Sequence, residues 1–184
     1  MSKIQEAIQQ MSIDEKKERL AAYMSQDKAW APKPIAIEVR KRREEEISGN
    51  RIYNIIVILE VGQEVQIHFV NLKSEVLYVY ALLHPRGFLR DSLDRPGYPA
   101  LSKLYSLLYM ADPRRLVAQA EKNFDRMVSQ AISDSRRAIS EKLIFDEELS
   151  FGNPRHYDMM TVIPAVYDGL QVIIDESISY YYKK

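Results

Sequence analysis

Cysteine is absent from the 184 residues, which excludes thiol nucleophiles, disulfide frameworks and thiolate-held zinc, and makes a reducing compartment, the cytoplasm, the expected location. Net charge is absent too. The 26 Lys and Arg balance 26 Asp and Glu, so the chain lacks the overall basic charge that nucleic-acid binders often carry. The longest strongly apolar run, residues 76–83, is far shorter than the roughly 20 residues of a spanning helix, and no signal-peptide apolar block opens the sequence, so no membrane partner is expected. A Gly-rich phosphate loop, a His-x-x-x-His pair and a Gly-x-Ser-x-Gly elbow are all missing. Neither enzymatic activity nor a cofactor is expected.

What is present is globular: 46% hydrophobic and 28% charged residues are enough for one domain with its own core. Charge is unevenly spread. Residues 114–142 hold seven basic against four acidic residues, whereas residues 144–179 hold seven acidic residues against Arg155 alone.

Residues 1–34 read as a helical arm and linker, with Ser12 and Glu15 spaced as a capping box and the prolines of "APKP" at 31–34 breaking the helix. Residues 35–184 read as a second part that opens with strands. Ile35, Ile37 and Val39 alternate with polar partners, "SGN" at 48–50 offers a turn, and "RIYNIIVILE" is rich in β-branched residues. A turn at Val61-Gly62-Gln63 leads to "EVQIHFV", completing a three-stranded antiparallel meander. The block "RKRREEE" at 40–46 balances four positive against three negative charges and reads as a solvated hairpin face.

From Asn71 the apolar period becomes helical, with Val76, Leu77, Tyr80 and Leu83 recurring and Asn71 or Ser74 as the cap. His84-Pro85 ends that helix, and Gly87 supplies the positive φ of a tight reversal. A second helix carries Leu101, Leu104, Tyr105 and Leu108 and begins near Asp91 or after "DRPGYP". A third helical region covers about 116–143, in one or two pieces. Its inward stripe is Phe124, Val128, Ile132, Ser135, Ile139 and Leu143, and Ser129, Gln130, Ser133, Asp134, Arg136 and Arg137 point away from that stripe. "YDMMTVIPA" and "LQVIID", joined at 166–169 with Asp168-Gly169 at the tip, read as a closing hairpin.

The segment "NLKSEVLYVYALLHPRGFLRDSL" resembles the first helix and corner of the response-regulator type of winged-helix DNA-binding domain, at Leu72, Ser74, Pro85, Gly87, Phe88, Leu89 and Leu93. "VSQAISDSRRAISEKL" is similar to that family's recognition helix, with Ile132, Arg136 and Ile139 matching. "MMTVIPAVYDGLQVII" occupies the place of its wing, where Thr161 and Val162 match the strand that enters it. The pattern Leu77-Tyr78 to Leu82-Leu83-His84-Pro85 and Gly87 also looks like bacterial proteins of unassigned role. The resemblance spans about residues 35–176 and implies an α+β fold: a three-helix core with a C-terminal hairpin wing, preceded by a small antiparallel meander and an N-terminal helical arm. Its implied activity is DNA binding by a transcriptional regulator or a mobile-element or replicon factor. Ser135 stands where the family has a core Leu, Pro164 and Val166 replace wing glycines, and the wing region is acidic.

Double-stranded DNA is therefore the expected partner. Ser129, Gln130, Ser133, Arg136 and Arg137 would reach the groove, while Arg86 and Arg90 touch phosphates, because short polar side chains and Arg read base edges from a helix. An acidic wing repels phosphates, which leaves an alternative: a protein–protein interaction module on the same scaffold, without DNA binding. Two surfaces suit a homodimer, the N-terminal helix and the terminal Tyr180, Tyr181 and Tyr182. Of the histidines, His68 reads as a half-buried sheet residue and His84 as an imidazolium at a helix C-terminus. His156, beside Tyr157 and Asp158, reads as a solvated loop residue.

Overall fold

Alternating apolar residues build three antiparallel strands in the computed structural model of the protein: β1 (Pro34–Lys41), β2 (Tyr53–Leu59) and β3 (Glu64–Ile67). The model describes residues 31–47, 49–88, 98–152 and 160–182, apart from the side chain of Tyr181. Residues 33–184 form one unit and residues 1–32 another; the helical arm expected over residues 1–30 lies outside the described residues.

β-Branched side chains suit the pleated, half-buried surface of a sheet. Ile37 pairs with Val57 and Val39 with Ile55, and Ile37, Val39 and Val57 are completely buried on one face. The opposite face presents Glu38, Arg40, Asn54 and Gln66 around Ile56. Ile35, expected to point inward with Ile37, is 48% exposed. A register shift between Pro34 and Ala36 inserts it as an extra residue and turns it outward.

Asn71 caps α1 (Leu72–Leu83) by accepting from the Lys73 N–H at 3.1 Å. Every residue from Ser74 to Leu82 is buried, so α1 is wrapped on all sides. α2 (Pro99–Tyr109) begins at the last residue of "DRPGYP", with Pro99 at a position where its missing N–H costs nothing, and buries Leu101, Leu104 and Leu108. α3 (Arg114–Ser140) is the longest helix, and α1, α2 and α3 pack on one another. One hydrogen bond and one ion pair tie sheet to helices, and a further bond holds the segment between them. The Ile52 N–H donates to the Leu108 carbonyl at 3.1 Å, and Arg51 donates to the buried Glu75 carboxylate and to the Phe69 carbonyl, each at 2.7 Å.

α4 (Asp146–Leu149) and α5 (Pro164–Tyr167) are single turns; β4 (Gln171–Ile174) and α6 (Glu176–Tyr182) follow. The expected closing hairpin is not formed. β4 instead runs parallel to β1, with Ala36 opposite Gln171 and Val39 opposite Ile174, giving the order β3-β2-β1-β4. Pro164 explains half of this, because it lacks a ladder donor and its fixed φ suits the first position of a helical turn. The open edge of β1 explains the rest: β4 satisfies it and places Val172 and Ile174 beside Ile37 and Val39. Thr161 pairs with Phe88 in an isolated antiparallel bridge. Among the described residues the protein is thus α+β, with six α-helices and a four-stranded mixed sheet. No helix there is long and apolar enough to cross a membrane.

The Pro85-Gly87 corner is seated on this bridge. Gly87 adopts φ +79°, and a Cβ added there would stand 3.0 Å from the Thr161 carbonyl oxygen and 3.2 Å from the Met160 Cβ. Gly87→Ala is expected to lower unfolding stability by about 1–3 kcal/mol, read as a fall in the urea midpoint with the slope unchanged.

Candidate nucleic-acid interface

α3 is broken at Asn123, where φ −164° and ψ 86° leave the helical region, in keeping with the two-piece alternative. The Asn123 Oδ1 accepts from the Arg126 N–H at 2.9 Å, so Asn123 acts as the N-cap of the second piece. Tyr98 wedges the break: its ring stacks on Phe124 at 5.2 Å. Its hydroxyl donates to the Ala120 carbonyl at 3.4 Å, the acceptor that an unbroken helix offers to Phe124.

Beyond the cap, Phe124, Met127, Val128, Ala131, Ser135, Ala138 and Ile139 face the core. Ile132 is only half-buried and Leu143 lies past the helix end, so the stripe sits slightly off the expected line. Ser135, at the position expected for a core Leu, is fully buried; its hydroxyl donates to the Ile132 carbonyl at 2.9 Å and lies 3.4 Å from the Phe151 N–H that donates to it. Burial of a small hydroxyl is tolerated because both of its hydrogen-bonding roles are met.

The opposite side exposes Arg126, Ser129, Gln130, Ser133, Arg136, Arg137 and Ser140. Five of these are the residues expected on the interface, brought together on one face. The only acid between Arg126 and Ser140 is Asp134, and its expected exposure is wrong: it is 5% exposed. Its carboxylate accepts from the Ser74 hydroxyl at 2.6 Å, the Asn71 amide at 3.3 Å, the Gln130 amide at 2.9 Å and the Arg137 guanidinium at 3.2 Å. A buried carboxylate needs such donors. By taking them from α1, Asp134 removes its own charge from the open face and holds Gln130 and Arg137 in place. Ser74 is 60 residues away, so no local spacing announces the contact.

Arg86 is exposed at the corner, and its carbonyl accepts from the Tyr167 hydroxyl at 2.9 Å. Arg90, Leu89, Leu93 and His156 lie outside the described residues. His68 is exposed beyond the end of β3, contrary to the expectation of half-burial in a strand. His84 ends α1 as expected but is not an obvious imidazolium. It packs on the Tyr80 ring at 4.3 Å and shares a 2.9 Å hydrogen bond with the Tyr182 hydroxyl, and burial lowers its proton affinity below the usual histidine value. Tyr182 is thereby folded back on α1, while Tyr180 is 57% exposed. Among the described residues no three metal-ligating side chains cluster.

Asp134→Ala is expected to cost about 2–4 kcal/mol of stability by stranding the donors of Asn71 and Ser74, with Asp134→Asn milder, measured by urea unfolding. The lowered His84 value makes the neutral ring part of the folded state, so its contribution is present above the unfolded value near pH 6.5 and lost as pH falls below it. Stability of His84→Gln should therefore decline less between pH 7 and pH 5 than that of the native protein. In comparison with known proteins, the chain matches no family model, no curated protein and no solved structure.

Proposed function

We propose that the protein binds double-stranded DNA by setting the exposed face of α3 into the major groove, as a transcriptional regulator or a factor of a mobile element or replicon. One observation carries this reading: from Arg126 to Ser140 the open face holds three Arg, three Ser and Gln130, with the sole acid turned inward. Such a face meets both demands of a groove-reading helix, neutralising phosphates with guanidinium groups and offering short hydroxyls that do not block approach to base edges. The Asn123 cap adds the positive end of a helix dipole beside Arg126, a favourable place for a phosphate.

The winged-helix resemblance lends further support at the corner. Phe88 follows the Pro-Gly turn and bridges to Thr161, the residue that the resemblance assigns to the strand entering the wing. Among the described residues β4 joins β1 in place of the expected hairpin, so α3 carries the affinity in this reading, with Arg86 and Arg90 as phosphate contacts. A homodimer reading two half-sites would use residues 1–30 or the terminal tyrosines, of which Tyr182 shares a hydrogen bond with His84.

The same observation about β4 favours the second reading, a protein-interaction module: the expected wing is a helical turn followed by Asp168, which offers nothing to a phosphate. Fluorescence anisotropy with a mixed-sequence duplex separates the two. Arg136→Ala combined with Arg137→Ala is expected to weaken binding about tenfold or more and to flatten the salt dependence by a slope of about one to two. Absence of duplex affinity in the native protein at low salt ends the DNA reading.

A further inference from the structure

The outer face of the sheet holds a depression of about 650 Å³ that the DNA reading does not use, lined by Arg40, Lys41, Arg42, Arg43, Arg51 and His68, with Asn54, Ile56, Gln66, Glu46 and Glu64 completing its walls. The volume lies in the range of sites for small organic ligands. Five basic side chains face two acidic ones there, and their engagements differ. Arg40 is spent. Its guanidinium spans Glu38 at 2.5 Å and Glu64 at 2.8 Å, and this pairing holds the Glu64 carboxyl below its ordinary range. Arg51 is fixed by Glu75 and the Phe69 carbonyl. Arg42 is held by uncharged acceptors, the Asn54 Oδ1 at 2.6 Å and the Glu46 carbonyl at 3.5 Å. Its charge is therefore aimed without being neutralised. The Gln66 amide donates to the same Asn54 Oδ1 at 2.8 Å, which pins the acceptor from the other side.

His68 reports the resulting field. Although the residue is exposed, partial loss of water around its ring lowers its proton affinity first, and the positive charges of Arg51, Arg42 and Lys142 lower it further. Arg42 and Arg51 line the same depression as this imidazole, whose neutral form keeps one N–H donor. Carboxylates near the site lie elsewhere in its network: Glu38 and Glu64 on Arg40, Glu75 on Arg51, and Glu46 accepting from the Arg43 N–H at 3.4 Å. No aromatic carbocycle lines the walls, so the site suits a charged, polar ligand rather than an apolar one.

We propose that this depression, with Arg42 and His68 as its binding groups, holds a small phosphate ester of sugar-phosphate or nucleotide size. A guanidinium fork matches phosphate oxygens in geometry as well as charge, and a fixed fork loses little freedom on binding. Phosphate also accepts from the imidazole N–H, whereas an apolar effector would leave Arg42 buried against it without a counterion. The block at 40–46, which reads in sequence as a solvated hairpin face, forms one wall of the site; Arg51 and His68 complete it only through the fold.

Pyrophosphate serves as the probe, followed by calorimetry and by the His68 ring resonances in NMR spectra of the full chain. Saturable binding at millimolar or lower pyrophosphate, with an upward shift of the His68 titration on binding, is expected. Arg42→Ala should weaken binding about tenfold or more, with an unchanged unfolding midpoint as the control for folding. The double variant Arg136→Ala and Arg137→Ala should bind pyrophosphate like the native protein, which separates this site from the α3 face. An unmoved His68 titration at millimolar pyrophosphate, or equal affinity in the Arg42 variant, overturns the proposal. So does a single-stranded oligonucleotide that occupies the depression and displaces pyrophosphate at far lower concentration, since that would make it a nucleic-acid track.

Discussion

A carboxylate buried between two helices is the constraint on which the arrangement depends. Asp134 sits in α3 but draws its donors from both helices: Asn71 and Ser74 at the start of α1, and Gln130 and Arg137 within α3. Asn71 simultaneously caps α1 through its side-chain Oδ1, so one side chain starts a helix and docks it. A hydrophobic contact at this point would allow α3 to rotate about its axis by a few degrees at little cost. A satisfied polar cluster allows one setting, because any other strands a buried charge. That setting fixes which residues of α3 meet solvent.

Charge neutrality of the whole chain conceals a division of labour among its arginines. Arg40 and Arg51 are structural: Arg40 pairs with Glu38 on its own strand and with Glu64 on β3, and Arg51 pairs with Glu75 on α1. Arg42 is oriented by amide and carbonyl oxygens, and Arg126 and Arg136 stand in solvent on α3. Counting charges along the sequence cannot separate these classes, since a guanidinium acquires its role from partners brought in by the fold. Glu75 makes the same point from the acidic side: burial raises its proton affinity, and Arg51 and Tyr109 work against that rise.

Much of the architecture was legible because it is written in local periodicity. The period-two run of β-branched residues gave the meander, and the helical recurrence of Leu and Tyr gave α1 and α2. Pro85 and Gly87 marked the corner through backbone geometry that few other residues adopt. Legibility stopped where partners are distant. Residues 160–175 carry two short apolar runs around an Asp-Gly, which is a hairpin signal, yet the edge of β1 won the pairing of the second run and Phe88 that of the first. The face of α3 was readable to the extent that helical spacing alone sorts residues; Asp134 was misplaced because its burial is decided by Ser74, in another helix. The depression on the sheet was missed for the same reason, since Arg42, Arg51 and His68 share no spacing that a one-dimensional pattern reports.

The neighbouring of β1 and β4 has a consequence for biosynthesis. β1 pairs with β2 almost at once, but its second edge must wait until residues 171–174 have been made, some 130 residues later. At ribosomal rates that interval is on the order of ten seconds. Throughout it, Ala36 to Val39 present a bare row of amide and carbonyl groups beside Val- and Ile-rich surface, the arrangement that invites pairing with a neighbouring nascent chain. A ribosome stalled in the interval would release a sticky intermediate rather than a smaller folded protein.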